Sequence, residues 1–185
     1  MEFVSTDIPE VVLIKPKVFG DSRGYFMESF RSDLFGEHVG EVDFIQDNES
    51  KSAHGVLRGL HYQLPPYAQA KLVRAVTGRV LDVAVDIRKN SPTFGRHVTA
   101  ELSEENKHQL FIPRGFAHGF LVLSKEAVFS YKVDAPYAPD HERGICFADP
   151  ELAIDWGLPE SEISLSEKDI SLPFLKDAQL FENQQ

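Results

Sequence analysis

Any chemical reading of this chain has to start at His61. It lies in Gly55-Val56-Leu57-Arg58-Gly59-Leu60-His61-Tyr62-Gln63, where a cation, an imidazole and an amide interrupt an apolar run. A strand that only fills a core has no use for that polarity. Three uses are open: metal ligand, proton acceptor, or buried hydrogen-bonded ring. A metal site needs about three or four protein ligands. His118 is a distant second candidate, and an acid near position 71 would supply a third. Position 71 is Lys, whose ammonium has no lone pair and repels a divalent ion, so no metal ligand is assigned.

The acid/base reading fits better. A neutral imidazole, with a reference pKa of about 6.5, accepts a proton near neutrality. Such a base is usually oriented by a carboxylate on its other ring nitrogen. The acids nearest in sequence single out no partner, so it must come from elsewhere in the fold. Lys71, placed by this reading on a strand adjacent to that of His61, could stabilise an oxyanion such as an enolate. Tyr131, with a reference pKa of about 10, is a candidate proton donor. Arg23 and Arg58 are candidate phosphate grips, because guanidinium binds phosphate in a bidentate way. Taken singly, each arginine is more simply a surface salt bridge. By the same standard His118 is a satisfied core histidine, Tyr131 and Tyr137 are core or rim aromatics, and Asp169 is a turn or cap residue.

The frame that must position these groups is 185 residues long, which suits one domain with a conventional core. Nineteen Lys+Arg against 29 Asp+Glu give a formal charge of −10. That argues against nucleic-acid or membrane-surface binding but leaves room for an anionic small substrate gripped by local cations. The single cysteine, Cys146, excludes an internal disulfide and Cys-based zinc motifs. No basic, apolar leader opens the chain, and no stretch approaches the ~20 apolar residues of a membrane helix. The expected location is cytoplasmic.

Strands are expected at Val11–Ile14, Lys71–Thr77, Val80–Ile87, His97–Leu102, Gln109–Ile112, Phe116–Leu123 and Ala127–Val133. In the clearest of them Leu81, Val83, Val85 and Ile87 share one face, with Asp82 and Asp86 opposite. After a turn at Asp21–Gly24, the pattern puts Phe26, Glu28 and Phe30 on one strand face. Ser32 is placed to cap a short helix. Phe44 to Asn48 reads as a strand running out into a loop. From Asp149 onward, Pro and capped segments such as Ser166-Glu167-Lys168-Asp169 predict short helices and loops packed on the body. Short strands at about ten-residue spacing, without helical patterns between them, predict an all-β sandwich or barrel. Alternation puts Arg58 and His61 on opposite faces unless Gly59 opens a bulge.

Taken together, these motifs resemble the dTDP-4-dehydrorhamnose 3,5-epimerase family over nearly the whole chain. The resemblance rests on residues 55–63 followed by Ala68-Gln69-Ala70-Lys71-Leu72-Val73-Arg74, and on Asp21-Ser22-Arg23-Gly24-Tyr25-Phe26-Met27-Glu28. It continues through Asp82 to Arg88, Ser91-Pro92-Thr93-Phe94-Gly95, Ile112 to Phe120, Tyr131-Lys132 and Leu165 to Asp169. His54 and Gly157 depart from the pattern, away from any catalytic role. The resemblance implies a cupin-type jelly roll with short C-terminal helices, as a single domain over 1–185 with an extension from about 149. It implies a homodimer exchanging N-terminal strands, and a nucleotide-sugar substrate with no cofactor and no metal. The implied reaction inverts dTDP-4-dehydro-6-deoxy-D-glucose at C3 and C5, in dTDP-L-rhamnose synthesis. His61 would be the base, oriented by Asp169, with Lys71 on the enolate oxygen and Tyr131 as proton donor. Arg23, Glu28, Gln46, Asp47, Asn48, Arg58, His118, Glu142 and Lys168 would contact substrate. Phe19, Phe26 and Tyr137 would hold the nucleotide, Tyr137 by stacking on thymine. The alternatives are a 3- or 5-mono-epimerase, a ketoisomerase of dTDP-sugars, and a non-catalytic sugar-binding module.

Overall fold

A computed structural model describes residues 1–181. The strands are β1 (Glu2–Ser5), β2 (Val12–Lys15), β3 (Val18–Asp21), β4 (Gly24–Met27), β5 (Gln46–Ala53), β6 (Leu57–Gln63) and β7 (Lys71–Thr77). They continue with β8 (Arg79–Asp86), β9 (His97–Ser103), β10 (Gln109–Ile112), β11 (Phe116–Val122), β12 (Glu126–Val133) and β13 (Glu142–Gly144). Helices α1 (Ser32–His38) and α2 (Glu167–Ile170) are short. The order β1-β2-β10-β7-β12-β5 makes one sheet, β13-β6-β11-β8-β9 a second, and β3-β4 a separate hairpin. These pairings are antiparallel, and the two large sheets face each other as a jelly roll.

Apolar side chains lie on more than one side of the sheets. Val73, Ala75, Ala84, Leu110, Phe116, Phe120 and Phe129 fill the space between them. The outer face of the five-stranded sheet carries Leu57, Leu60, Val83, Val85 and Leu121, and the C-terminal segment covers it with Leu152, Trp156, Leu175 and Leu180. Asp149 anchors that cover: it is buried, and its carboxylate accepts from the amides of Glu151 (2.8 Å) and Leu175 (2.5 Å). This is why β8 is buried almost throughout. Asp82 and Asp86 do lie opposite Val83 and Val85, but they point inward and are fully buried. Asp86 is satisfied by Arg88, Ser91 and Thr93.

Four local expectations are corrected. β4 stops at Met27, so Glu28 and Phe30 do not continue its face; Phe30 packs on Phe35 and Phe44 instead. Helix α1 is preceded by Arg31 without a side-chain cap, so Ser32 is its first residue and not its cap. Residues 46–48 open strand β5, because the polar stretch through Ala53 pairs along its whole length with β12. Lys71 is not on a strand adjacent to that of His61; β7 and β6 belong to facing sheets.

Candidate active site

A cavity of about 460 Å³ is walled by both sheets and closed by the C-terminal segment. Lys71 and Tyr131 come from the six-stranded sheet, Arg58, His61 and His118 from the five-stranded sheet, and Lys168 and Asp169 from α2.

Gly59 decides how β6 contributes. His118 pairs with His61, and Phe120 pairs with Arg58, so Gly59 and Leu60 together oppose Gly119 alone. This is a bulge, and it returns Arg58 and His61 to the same face while Leu60 turns into the outer apolar layer. Gly59 has φ +120°, and a Cβ there would sit 2.6 Å from both Gly119 Cα and the His118 carbonyl, so no other residue fits.

His61 Nε2–H donates to Asp169 Oδ1 at 2.5 Å, leaving the Nδ1 lone pair free to act as a base. Asp169 reaches His61 because its segment is pinned to the start of β6. Ser164 N donates to Gly55 O (2.8 Å), and Leu57 N donates to Ser164 O (3.0 Å). Gly55, at φ +75°, leaves room for the Glu162 carbonyl, which a Cβ would meet at 2.2 Å. Ser166 then caps α2, accepting from Asp169 N (3.1 Å). Its hydroxyl also donates to Asp169 Oδ2 (2.9 Å). Burial alone would raise the Asp169 pKa, but the hydrogen bond from His61, with help from Ser166 and Lys168, holds it below the usual range.

A second carboxylate lies deeper. His118 Nε2–H donates to Asp82 Oδ2 at 2.9 Å, and Asp82 Oδ1 is buried without a hydrogen-bond partner. Burial lowers the His118 pKa, against the attraction of Asp82. Burial also pulls Lys71 down to about 8, with Asp82 and then Glu142 opposing. Burial pushes the Tyr131 phenol up. The cavity thus holds an imidazole with its carboxylate on one wall, and an ammonium and a phenol on the other. Among the described residues, no group of three or more His, Cys, Asp or Glu is arranged to hold a metal.

The family model described as dTDP-4-dehydrorhamnose 3,5-epimerase matches residues 5–177. The chain belongs to this family. It is 58% identical over 182 residues to the dTDP-4-dehydrorhamnose 3,5-epimerase of Shigella flexneri, covering 98% of this chain and 99% of that one. The crystal structure of the dTDP-6-deoxy-D-glucose-3,5-epimerase of Legionella pneumophila, in complex with dTDP-4-keto-L-rhamnose, superposes with TM-score 0.95. It is 48% identical and covers 100% of this chain and 99% of that one. A 3′-monoepimerase from Streptomyces bikiniensis in complex with dTDP-quinovose superposes with TM-score 0.86 at 34% identity, covering 93% and 87%. The jelly roll is therefore the cupin fold of these epimerases.

Within this epimerase chain the remaining expected residues fall into three groups. Glu142 lies beside the cavity, accepting from Lys168 (2.5 Å) and from the exposed Tyr137 hydroxyl (2.6 Å). Burial would raise its pKa, but the Lys168 and Tyr137 hydrogen bonds lower it. Arg58 Nε donates to Ser52 Oγ (3.0 Å). Gln46 and Asn48 are hydrogen-bonded to each other (2.8 Å) on the face of β5 that carries Ser50, a cavity residue, and Asn48 pairs with Tyr131. Asp47 does not join them. Alternation along β5 turns it to the other face, where it holds Lys132 at 2.9 Å.

Phe19, Arg23, Phe26 and Glu28 are not brought to His61 by their own chain. The first three line a shallow depression on the β3-β4 hairpin, with Phe19 53% and Phe26 66% exposed. Arg23 pairs with Asp21, and Glu28 faces Arg31 at 3.6 Å. Sequence reasoning missed Ser166 and Asp82. The first carried a legible signal, a serine three residues before an acid at a helix start. The second was an acid in an otherwise apolar strand.

Proposed function

We propose that the chain epimerises dTDP-4-dehydro-6-deoxy-D-glucose at C3 and C5 to dTDP-4-dehydro-L-rhamnose. One observation carries the chemistry: the His61–Asp169 pair and the Lys71 and Tyr131 side chains enter one cavity from opposite walls. Inversion at carbon requires a proton to leave one face and another to arrive on the opposite face. Both C3 and C5 flank the C4 ketone, so loss of either proton sends an electron pair to the C4 oxygen.

His61 Nδ1 takes the proton, and Asp169 balances the imidazolium that results. The Lys71 ammonium stabilises the enolate oxygen. Tyr131 returns a proton to the other face, and solvent exchange resets His61 and Tyr131. The acidified C–H bonds make a cofactor unnecessary. Arg58 and His118 help hold the substrate, with Lys168, Glu142 and Tyr137 at the nucleotide side. Gln46 and Asn48 approach it from β5.

The hairpin residues Phe19, Arg23, Phe26 and Glu28 serve a partner's cavity in a homodimer. Their exposed aromatics and their distance from their own His61 support this reading. The whole of 1–185 acts as one cytoplasmic domain, with the extension from about 149 closing the site; among the described residues no helix is long and apolar enough to cross a membrane.

The decisive test incubates the protein with the keto-sugar nucleotide in deuterated water and follows C3 and C5 by NMR. Deuterium at both carbons, with dTDP-L-rhamnose formed when the coupled reductase is added, is the expected result. Retained protium at both carbons would overturn the proposal. The likeness to the Streptomyces bikiniensis 3′-monoepimerase supports a second reading, inversion at C3 alone, which the same spectrum separates.

A further inference from the structure

We propose that Ser166 is a positioning residue for the base, fixing the Asp169 carboxylate that orients His61. The inference rests on His61 being the base. Ser166 meets Asp169 twice: its oxygen accepts from the Asp169 amide at 3.1 Å and its hydroxyl donates to Asp169 Oδ2 at 2.9 Å. A serine that only capped α2 would need the first contact alone. The second leaves Oδ1 as the oxygen that meets His61 Nε2–H, at 2.5 Å. Asp169 is 4% exposed, so its carboxylate oxygens rely on these protein donors. With both oxygens engaged, the carboxylate has one rotamer, and the imidazole it holds keeps Nδ1 towards the cavity. The charged groups around the carboxylate are His61 from β6 and Lys168 from its own helix, with Glu142 of β13 holding Lys168.

The two roles of Ser166 can be separated. Ser166→Gly loses both side-chain contacts, but glycine is nearly as stable an N-cap as serine, so the helix start is kept and the effect on His61 is read apart from stability. Ser166→Thr keeps both contacts. The expected result for Ser166→Gly is a kcat about 10-fold lower, with KM within about 2-fold and the thermal midpoint nearly unchanged. The acid limb of the kcat profile moves to higher pH, because a carboxylate that loses a donor turns more of its charge to the imidazolium and favours it more. Ser166→Thr restores both.

A second readout needs no turnover. The downfield NMR signal of the His61 Nε2–H proton exchanges faster with solvent in Ser166→Gly than in the parent or in Ser166→Thr. An unchanged signal and an unchanged acid limb in Ser166→Gly would overturn the proposal. So would a raised KM at constant kcat, which marks a substrate contact. If the protein fails to epimerise but the signal still responds, the positioning contact stands and the reaction assignment falls.

Discussion

Lys71 is the residue whose environment most constrains the chemistry. Burial drops its pKa to about 8, which leaves it mostly charged at pH 7 and neutral above pH 9. An enolate is stabilised by the charged form, so kcat is expected to fall as pH rises through about 8, and a rate–pH profile checks this. Lys71→Met is expected to lower kcat by about 10²–10³-fold with little change in KM, since the contact acts in the transition state. Asp82 faces Lys71 from the opposite sheet and favours its charge. Asp82→Asn removes that attraction, so the basic limb should move to lower pH. A limb that stays in place would show that Asp82 acts only through His118. Tyr131→Phe separates the half-reactions. With His61 intact, deuterium should still enter the substrate from the base side, without inversion, as proton NMR of recovered substrate would report.

At the scale of elements, the bulge in β6 is where backbone and chemistry meet. Gly59→Ala forces a Cβ to within 2.6 Å of the β11 backbone, at a φ of +120°. The expected cost is about 2 kcal/mol or more in denaturant unfolding, with activity lost as Arg58 and His61 separate. The need for this bulge was legible, because Arg58 and His61 share a cavity only if alternation breaks. Strands β7 to β12 were legible too, within a residue or two, from their apolar runs. Strand β5 was not. Its residues are polar on both faces, one turned to the cavity and one to solvent, so no hydrophobic period marks it. The inward turn of Asp82 was hidden for a related reason. The C-terminal segment covers the outer face of β8, so the apolar face of that strand is not its inner one. The partnership of Asp169 with His61 was named only through resemblance, since local spacing cannot bring together residues 108 positions apart.

For the whole molecule, the exposed hairpin is the part that a single chain does not explain. If β3-β4 serves a partner's cavity, two inactive variants should complement each other. A His61→Ala chain keeps a sound hairpin, and an Arg23→Ala/Phe26→Ala chain keeps a sound cavity. Mixed dimers would then carry one intact site each, giving about a quarter of parent activity after subunit exchange. If each hairpin serves its own chain, no activity returns. Against a formal charge of −10, the cavity gathers Arg58, Lys71 and Lys168, a local positive charge suited to an anionic substrate. The pinned C-terminal segment has a consequence for synthesis. Ribosomes deliver His61 long before Asp169, so a nascent chain can complete both sheets around a histidine that lacks its acid. Catalytic competence thus arrives only when the segment through Ser164 docks at Gly55 and brings Asp169 to His61, and a chain cut short of that residue has no oriented base.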